Sequence, residues 1–407
     1  MEDIIKNKYE LKELELNSLL EVTQAINNNL PEESLYKIYH FTLRANLNIK
    51  KLALYVLDDR WDCKANHGTD ANFYQIPLEE KFLDIQEITY LESSCENSPF
   101  GEFETMIPVM HKNSILAFVF LDGIRKRIGG IEGDVDTTFI QALSNIILVA
   151  IENKKLARKE LRQEAFKKEM EIAKDVQKYL FPENLPYGPR LKVEASYLPH
   201  HTIGGDYYDY IPINRNQFLL CIADVSGKGI PAAILMSNFQ ASLRTLIRQT
   251  SNISTIVEEL NYQILENAKG ENFITFFAAI YDHKLKTLVY VNAGHNPPLL
   301  YDSKNGLRFL DMGTTVLGSF QPLPFLNEGF ITDLDDFLFF GYTDGLTELR
   351  NNSGEEFGIE RLEKLITSNV EKGPREIHQD IMQEIDTFRE DTAYSDDITI
   401  LSCKVDP

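Results

Sequence analysis

The chain has 407 residues, of which 43% are hydrophobic and 11% aromatic, so it can bury sizeable cores and is not disordered by composition. Its length favours two domains with a connector over a single core. The 41 basic and 62 acidic side chains give a net charge of -21, which disfavours nucleic-acid and anionic-membrane partners because both need a basic surface.

Neither the cysteines nor the chain's apolar segments point to a secreted or membrane protein. The four cysteines have no C-x-x-C spacing, so we expect neither a zinc site nor a disulfide framework; they are Cys63, Cys95, Cys221 and Cys403. The N-terminus lacks the apolar region of a signal peptide. The best candidate for a membrane-spanning segment, residues 139–151, is too short and contains polar residues. These features predict a soluble, cytoplasmic protein in a reducing compartment.

The first 155 residues have the pattern of an α+β domain. "SLLEVTQAINNNL" and "ESLYKIYHFTLRAN" predict two helices. Strand-like runs follow at residues 51–59, 103–110 and 114–123, and a helix over residues 136–156 closes the region. Helices, a sheet with a central hairpin and a returning helix make a compact unit of the usual domain size.

This order of elements, together with the segment "IPVMHKNSILAFVFLDG", resembles a GAF sensory domain over about residues 15–155. There is no cyclic-nucleotide signature and no chromophore cysteine in a recognisable setting. Two interpretations stay open, a sensor with an unidentified GAF ligand and a dimerising scaffold without one. We assign residues 1–155 to an N-terminal helix and a GAF-like domain.

Residues 151–182 are predicted to be a continuous helical linker that ends before Pro182. Apolar side chains recur along it at the heptad-like spacing of a coiled coil; they are Phe166, Met170, Ala173, Val176 and Leu180. Nine basic and six acidic side chains give this segment a net charge of +3. The pattern is typical of a parallel coiled coil in a homodimer, although so short a stripe could also pack against its own domain.

From residue 183 to the C-terminus the pattern changes to strands and turns, and four aspartates lie at strand ends. "YYDYIPI" and "FLLCIA" flank the polar turn at residues 214–217, which predicts a hairpin in which facing residue numbers sum to about 431. Asp206 then lies across from Val225, beside Asp224. Later in the chain, an apolar strand ends at Asp344, and Asp396 opens the last strand.

One acid at a strand end is ordinary turn chemistry, but several close together repel unless cations lie among them. Aspartate oxygens suit hard cations such as Mg²⁺ or Mn²⁺. Four carboxylates balance two divalent ions, and two such ions about 3.5–4 Å apart can activate water for hydrolysis. Gly204 and Gly205 would let the backbone approach such a cluster without obstruction by a side chain.

The segments around these acids resemble those of the PPM metal-dependent protein phosphatases, in the SpoIIE/RsbU-type bacterial branch. The matching segments are "GGDYYD" (204–209), "DVSGKG" (224–229), "NAGHNPPLL" (292–300), "YTDGLTE" (342–348) and "DDITIL" (396–401). They follow the order of that family over about residues 165–405. The segment "IAKDVQKYLFPENLP" is similar to the helix that leads into such domains.

The resemblance implies an α+β protein whose residues 183–407 form a β-sandwich flanked by helices and bind two Mn²⁺ or Mg²⁺ ions. Asp224 would bridge the metals, with the backbone carbonyl of Val225 assisting. Asp344 and Asp396 would be further ligands, and Asp206 would bind metal or its water, so that Asp206 and Asp224 carry the catalysis. Water would attack phosphorus directly, without a phospho-enzyme.

The implied substrate is phosphoserine or phosphothreonine on a partner protein, in this branch a STAS-type anti-sigma-factor antagonist. A signal received by the GAF-like domain would gate the enzyme through the linker. One alternative is a catalytically silent sensor with a phosphatase-like binding domain, but such a protein would be expected to have lost a metal carboxylate. The other, a two-metal phosphodiesterase or nuclease, is disfavoured by the charge of -21 and by the order of the motifs.

Several residues near these motifs have plainer interpretations. Asp209 and Asp397 are expected to be structural or to support the ligands. Lys228 does not belong to a Walker A loop, since the required Gly and Ser/Thr are missing, and is either an exposed loop lysine or a substrate contact. His295 is expected to be a hydrogen-bonding turn residue rather than an acid or base.

Three further features bear on the entrance and on phosphate binding. His200 and His201 stand where members of the family carry smaller residues, so the entrance chemistry is open. Arg244 and Arg248 are expected to lie on the surface of the helix that follows Asp224. No motif therefore identifies a phosphate-binding arginine.

Overall fold

The structure, a computed structural model, describes residues 2–47, 49–91, 98–111, 114–123, 125–128, 131–134 and 137–407. The chain forms two compact units, Met1–Glu164 and Ala165–Pro407, and the boundary falls within one long helix. The finer division into residues 1–155, 151–182 and 183–407 stays a prediction, since compactness alone does not define a linker with its own role. Cys95 lies outside the described residues, and the other three cysteines are free.

The first unit consists of helices around a five-stranded antiparallel sheet. Its elements are α1 (Glu2–Asn27), α2 (Glu32–Phe41), β1 (Lys51–Leu57), β2 (Trp61–His67), β3 (Thr89–Tyr90), β4 (Thr105–His111), β5 (Ser114–Asp122), the hairpin β6 (Arg125–Ile128) and β7 (Ile131–Asp134), and α3 (Thr137–Lys178). The strand order of the sheet is β2-β1-β5-β4-β3. The two predicted helices, the three predicted strand runs and the closing helix all appear, and β2, β3 and the β6–β7 hairpin are additional.

Each face of this sheet has its own core. One face packs against α1, α2 and the start of α3 through aliphatic side chains such as Leu54, Val119 and Ile147. The other face is covered by loop segments that contribute aromatic side chains. Phe73, Phe82 and Phe100 are 0–1% exposed there, and the ring of Phe100 contacts those of Phe73 and Phe82 at 5.2 and 5.0 Å. This second face is therefore a filled aromatic core.

The second unit is a β-sandwich with helices on both outer faces. Its elements are the C-terminal part of α3, β8 (Leu191–Leu198), β9 (Tyr207–Pro212), β10 (Gln217–Val225), α4 (Ile230–Gln249), α5 (Ile253–Ala268), β11 (Ile274–Asp282), β12 (Thr287–Ala293), β13 (Leu299–Asp302), β14 (Gly306–Phe309), β15 (Gly313–Thr314), β16 (Gly329–Ile331), β17 (Phe337–Tyr342), α6 (Asp344–Thr347), α7 (Ile359–Ser368), α8 (Pro374–Arg389) and β18 (Ile398–Val405). One sheet has the order β15-β12-β11-β10-β9, with β16 beside β12, and the other has the order β14-β13-β17-β18-β8.

Side chains that alternate between the two faces of the central strands explain the layers of the second unit. In β10, Leu220 and Ile222 point into the core between the sheets, whereas Leu219 and Cys221 pack against α4 and α5. Helices α7 and α8 cover the second sheet through Ile366, Ile381 and their neighbours. Because both faces of β10 are buried, this strand is a nearly continuous apolar run that ends at its first charged residue, Asp224.

Among the residues that the structure describes, no helix is both long and apolar enough to cross a membrane.

Candidate active site

Strands β9 and β10 bring Asp206 and Asp224 to the same end of one hairpin. The last hydrogen-bonded pair is Tyr207 opposite Ala223, so the next position along each strand is an aspartate. The predicted register was wrong by one residue, since paired numbers sum to 430. The side chain of Asn214 accepts hydrogen bonds from the backbone of Asn216 and Gln217 and closes a three-residue turn, where four residues had been expected.

Asp206 is held rigidly from the second sheet. It is 1% exposed and accepts hydrogen bonds from the hydroxyls of Thr343 and Thr399, at 2.9 and 2.5 Å. Thr343 follows β17 and Thr399 lies in β18, so the two sheets of the sandwich meet at this carboxylate. The sequence interpretation missed both threonines, although they lie next to Asp344 and two residues after Asp397 in the segments that were singled out.

The other predicted ligands lie around this pair. Asp344 begins α6, directly after β17, and Asp396 precedes β18. Charge interactions link Asp224 with both of these acids. Val225, the last residue of β10, is 1% exposed, and a Cβ on Gly205 would lie only 2.9 Å from its carbonyl oxygen. The five predicted site residues therefore belong to one end of the sandwich.

Burial, and then the charges of neighbouring acids, raise the pKa values of three of these carboxyls. Burial and the charge of Asp344 raise the pKa of Asp224 to about 7. Burial and the charge of Asp224 raise the pKa of Asp206 well above its usual range. Burial, then Glu348 and Asp396, raise the pKa of Asp344 as well. Carboxyl groups that are hard to ionise together are suited to a hard divalent cation, whose charge would favour their ionised form.

Asp396, one of the predicted metal ligands, forms an ion pair with a lysine. Lys228 lies in the loop after β10, and its Nζ contacts Oδ2 of Asp396 at 2.9 Å and the carbonyl of Ser395 at 3.0 Å. About half of each charged side chain of this pair is exposed. Within the described residues, no three His, Cys, Asp or Glu side chains already form a group that could hold a metal ion. A cation would have to draw these acids closer together and displace the ammonium group of Lys228.

Asp397 supports the loop that precedes Asp206. Its two carboxylate oxygens accept hydrogen bonds from the backbone N–H groups of His200 and Gly205, at 2.7 and 2.8 Å. A Cβ on Gly204 would lie only 2.1 Å from Oδ2 of Asp397. The glycine pair is thus needed for the close approach of the loop to Asp397 and Val225, and the contacts of Asp397 fit the structural role expected from the sequence.

Asp209 and Arg244 form an ion pair behind the site. The guanidinium group of Arg244, in α4, donates to both carboxylate oxygens of Asp209, at 2.8 and 3.1 Å. Asp209 is fully buried and also accepts from the hydroxyl of Tyr207. Arg244 was expected to be a surface residue, and its side chain is indeed 39% exposed; the sequence did not reveal that it supplies the counter-charge that a buried carboxylate requires. Arg248, one turn later, is exposed as expected.

His295 has the contacts of a structural residue. His295 is 4% exposed, and its Nδ1 is 2.9 Å from the hydroxyl of Thr275, the residue that faces Asp224 across β10 and β11. Burial lowers the pKa of His295 to about 4, so the ring is neutral near pH 7. The rings of His200 and His201 contact each other at 4.2 Å. His295 is therefore the turn residue that the sequence favours.

Helix α3 contacts the same loop through a glutamine that sequence analysis did not single out. Gln177 is 6% exposed; its Nε2 donates to the carbonyl of Gly204 at 2.7 Å, and its Oε1 accepts from the N–H of Gly204 at 3.3 Å. Phe181, just beyond the helix, packs against Tyr197 and Tyr208 at ring distances of 5.0 Å. The end of α3 is thus fixed to the loop that carries Asp206.

Comparisons with known proteins agree with this architecture. The family model described as Stage II sporulation protein E (SpoIIE) matches residues 214–406. Phosphoserine phosphatase RsbU of Bacillus subtilis is 30% identical over 242 residues, which are 59% of this chain and 70% of RsbU. The SiaA-PP2C domain of Pseudomonas aeruginosa has the same fold over 60% of this chain and 99% of its own, with a TM-score of 0.54 at 18% identity.

Two further relatives match less of their own length. Protein IcfG of Synechocystis is 26% identical over 276 residues, and phosphoserine phosphatase RsbP of Bacillus subtilis is 25% identical over 186 residues. The chain spans 43% of IcfG and 46% of RsbP, less than half of each.

The phosphoserine phosphatases among its relatives and the matching family model together identify the chain as a metal-dependent serine/threonine protein phosphatase. The chain belongs to the SpoIIE family and is similar to RsbU within it. The predicted β-sandwich with flanking helices is confirmed. The family model begins at residue 214, so the GAF-like assignment of residues 1–155 stays a prediction.

Proposed function

We propose that this protein hydrolyses phosphoserine or phosphothreonine on a partner protein, and that two divalent cations held by its aspartates activate the attacking water. The observation that carries the proposal is the gathering of Asp206, Asp224 and Asp344 at one end of the sandwich, where each carboxyl has a raised pKa. Without cations, gathering these carboxyls lowers the stability of the fold. Bound cations would offset this cost by neutralising their charge.

In this proposal Asp224, Asp344, Asp396 and the carbonyl of Val225 would hold two Mn²⁺ or Mg²⁺ ions, with Asp224 as the central ligand. When bound, the cations supply Lewis-acid activation of water and stabilise the charge on the phosphoryl oxygens. Asp206 positions the water, because its hydrogen bonds to two buried hydroxyls keep its carboxylate in one orientation.

Lys228 acts as a counter-charge in the absence of the cations. Its ammonium group stabilises Asp396, and the hydrogen bond to Asp396, together with its charge, raises the pKa of Lys228. With cations bound, the ammonium group would be released from Asp396 and would stay beside the site, because Lys228 lies on a short loop between Gly227 and Gly229. It can then contact a phosphate oxygen of the substrate, a role for which no arginine is available by motif.

The partner we propose is a phosphorylated STAS-type anti-sigma-factor antagonist. The support is the similarity to RsbU, whose name gives it phosphoserine as substrate, and the family resemblance of the motifs. We further propose a cytoplasmic location, since the three described cysteines are free and the net charge is -21.

We also propose that the protein is a homodimer joined along α3. Phe166 and Val176, in the predicted apolar stripe, are each 57% exposed, and Ile172 nearby is 65% exposed. Packing such side chains against a second copy would remove them from water, as in a coiled coil. Because Gln177 lies on the same helix, a change in the coiled coil would reach the loop of Asp206 directly.

The activity is tested by phosphate release from a phosphoserine protein and from p-nitrophenyl phosphate, with and without Mn²⁺. We expect Mn²⁺-dependent turnover that falls by at least about a hundredfold in Asp224→Asn, Asp344→Asn and Asp396→Asn. Asp311→Asn, which changes an exposed aspartate of the same unit, should keep full activity. Inactivity of the wild-type protein with Mn²⁺ would contradict the proposal and leave the silent sensor or scaffold.

The gating contact is tested by Gln177→Ala. This variant leaves two backbone groups of Gly204 without their partners, and a buried unpaired group costs enough free energy to displace a loop. We expect activity to fall about tenfold while the sandwich remains folded, with a loss of stability of about 1–3 kcal/mol at most. Gln163→Ala, on an exposed part of the same helix, is the control. Equal activities of the two variants would refute a role for this contact.

A further inference from the structure

An exposed phenylalanine is held directly beside one of the predicted metal ligands. The last pair of the ladder between β10 and β11 is Val225 opposite Ile274. The pairing continues for one more step, because the backbone N–H of Ser226 donates to the carbonyl of Phe273 at 2.9 Å and the N–H of Phe273 donates to the hydroxyl of Ser226 at 2.8 Å. Phe273 is nevertheless 43% exposed. A large apolar side chain is therefore fixed at the end of the sheet and left in contact with solvent.

Phe273 lies on the same face of this sheet as Asp224. Side chains alternate between the two faces of a strand, so Phe273 shares a face with Thr275, two residues later. Thr275 is opposite Asp224, and paired residues share a face. Phe273 is thus the diagonal neighbour of Asp224, and diagonal neighbours lie about 7–8 Å apart. A phosphoserine bound at Asp224 would have Phe273 beside the adjoining residues of its own chain.

Two more exposed apolar side chains flank Phe273. Ile230 is the first residue of α4, just after the loop that follows β10, and it is 41% exposed. On the other side, Leu317 pairs with Ile274, and Phe320, three residues after Leu317, is 53% exposed. Single exposed apolar residues are common on protein surfaces, but these three lie at the end of the sandwich that carries the acids. We call Ile230, Phe273 and Phe320 the apolar rim.

The segment that carries Phe320 is held in place by a buried asparagine of α5. Asn261 is 1% exposed; its side chain donates to the carbonyl of Phe320 at 2.8 Å and accepts from the N–H of Gly318 at 2.9 Å. Gly318 has a φ of +91°, and a Cβ on it would lie 2.5 Å from Cγ2 of Ile264. A surface whose backbone is already fixed loses little conformational freedom when a partner binds.

We propose that the apolar rim docks the protein substrate by holding apolar side chains two or three residues away from its phosphoserine. An extended chain advances about 3.3 Å per residue, so two or three residues span the distance of about 7–8 Å between Asp224 and Phe273. The metal site would recognise the phosphate, and the rim would recognise the sequence beside it. This inference rests on the proposed phosphatase function and adds a requirement for the substrate.

The size and position of the rim favour the substrate over a second copy of this chain as its occupant. A half-exposed side chain of this kind offers on the order of 100 Å² of surface, so three of them supply far less than the roughly 800 Å² per partner of a stable dimer interface. The rim is also continuous with the predicted site, because Phe273 is paired with the residue that follows Val225. A substrate bound there would contact both.

The test uses the full-length protein with Mn²⁺ and two synthetic peptides of nine residues with phosphoserine at the centre. One peptide has leucine at the second and third positions on each side of the phosphoserine, and the other has glutamine there. We expect kcat/KM of the wild type to be at least about tenfold higher for the leucine peptide. Because both peptides use the same metal site, the ratio of their kcat/KM values is independent of any damage that a substitution causes there.

The variant Phe273→Gln should lower this ratio to less than about threefold, whereas Phe273→Leu keeps an apolar side chain and should retain most of it. Phe330→Gln is the matched control and should keep the ratio of the wild type. Phe330 is 63% exposed on the edge strand β16 of the same sheet, but it lies level with Leu219 rather than with Asp224. Should Phe273→Gln not fold, Phe320→Gln carries the test and should also lower the ratio.

Equal use of the two peptides by the wild type, or the same ratio in Phe273→Gln and Phe330→Gln, would overturn the proposal. Hydrolysis of p-nitrophenyl phosphate, which has no flanking residues, separates this outcome from a failure of the phosphatase. Turnover of that compound with equal use of the peptides would overturn the docking alone, whereas no turnover of any of the three would contradict both ideas. A lower mass of Phe273→Gln in light scattering, with an unchanged ratio, would assign the rim to a contact between copies instead.

Discussion

Replacing Asp224 by asparagine should stabilise the metal-free protein. In the folded state burial and the neighbouring acids raise the pKa of Asp224 from 3.8 to about 7. One pKa unit corresponds to about 1.4 kcal/mol, so ionising this group at pH 8 costs the fold about 4 kcal/mol. Because Asp224 titrates together with Asp206, replacing one member relieves part of this cost. We expect a gain of about 2 kcal/mol, or about 4–8 °C in Tm for a unit of this size.

The dependence on pH has a definite sign. A carboxyl whose folded pKa is raised contributes no penalty below pH 3.8, and the protein loses stability as the pH rises through about 7. The advantage of Asp224→Asn should therefore be smaller at pH 5 than at pH 8. Thermal unfolding in EDTA at both pH values measures it. A variant that is no more stable than the wild type at pH 8, or an advantage equal at both values, would refute the reasoning.

Asp335→Asn is the matched control for this experiment. Its partner Lys286 holds the pKa of Asp335 below the usual value, so this carboxyl is ionised in both folded and unfolded chains from pH 5 to 8. Its replacement should not stabilise the protein, and its effect should not change over that range.

Two further predictions concern ion pairs. Lys228→Gln should lower the Mn²⁺ concentration for half-maximal activity about two- to fivefold, because the variant removes an ammonium group that competes with Mn²⁺ for Asp396. The control Lys286→Gln should leave this concentration unchanged. A higher Mn²⁺ requirement in Lys228→Gln would contradict the role of Lys228 as a counter-charge. Arg244→Gln should lower the free energy of unfolding by about 2–3 kcal/mol in denaturant titrations, because it removes the counter-charge of the buried Asp209. Arg248→Gln should change it by less than about 0.5 kcal/mol, and equal effects of the two variants would contradict the account.

The strand-end aspartates could be predicted from the sequence because a buried strand is a continuous apolar run that stops at its first charged residue. Asp224 and Asp344 are found in this way, and hairpin pairing then brings Asp206 beside Asp224. The register was wrong by one residue because it depends on the side chain of Asn214, which shortens the turn. A pattern of apolar and polar residues does not contain that information.

The partners of the acids were harder to predict, because they come from distant parts of the chain. Thr343 and Gln177 contact the site only after the two sheets and the end of α3 have packed together. In the sequence Arg244 looks like any helix arginine, because its ion-pair partner, the buried Asp209, lies on a different element. Long polar side chains can reach either solvent or a buried partner, and local sequence does not decide between them.

The central claim is that these aspartates form a binding site for two divalent cations, although they hold protein partners in their absence. Titration of Mn²⁺ into metal-free protein, followed by calorimetry, tests this most directly. We predict two ions for each chain in the wild type and in Asp335→Asn, and loss of at least one ion in Asp224→Asn and Asp344→Asn. Binding of the same number of ions by Asp224→Asn and the wild type, or no binding to either, would contradict the account.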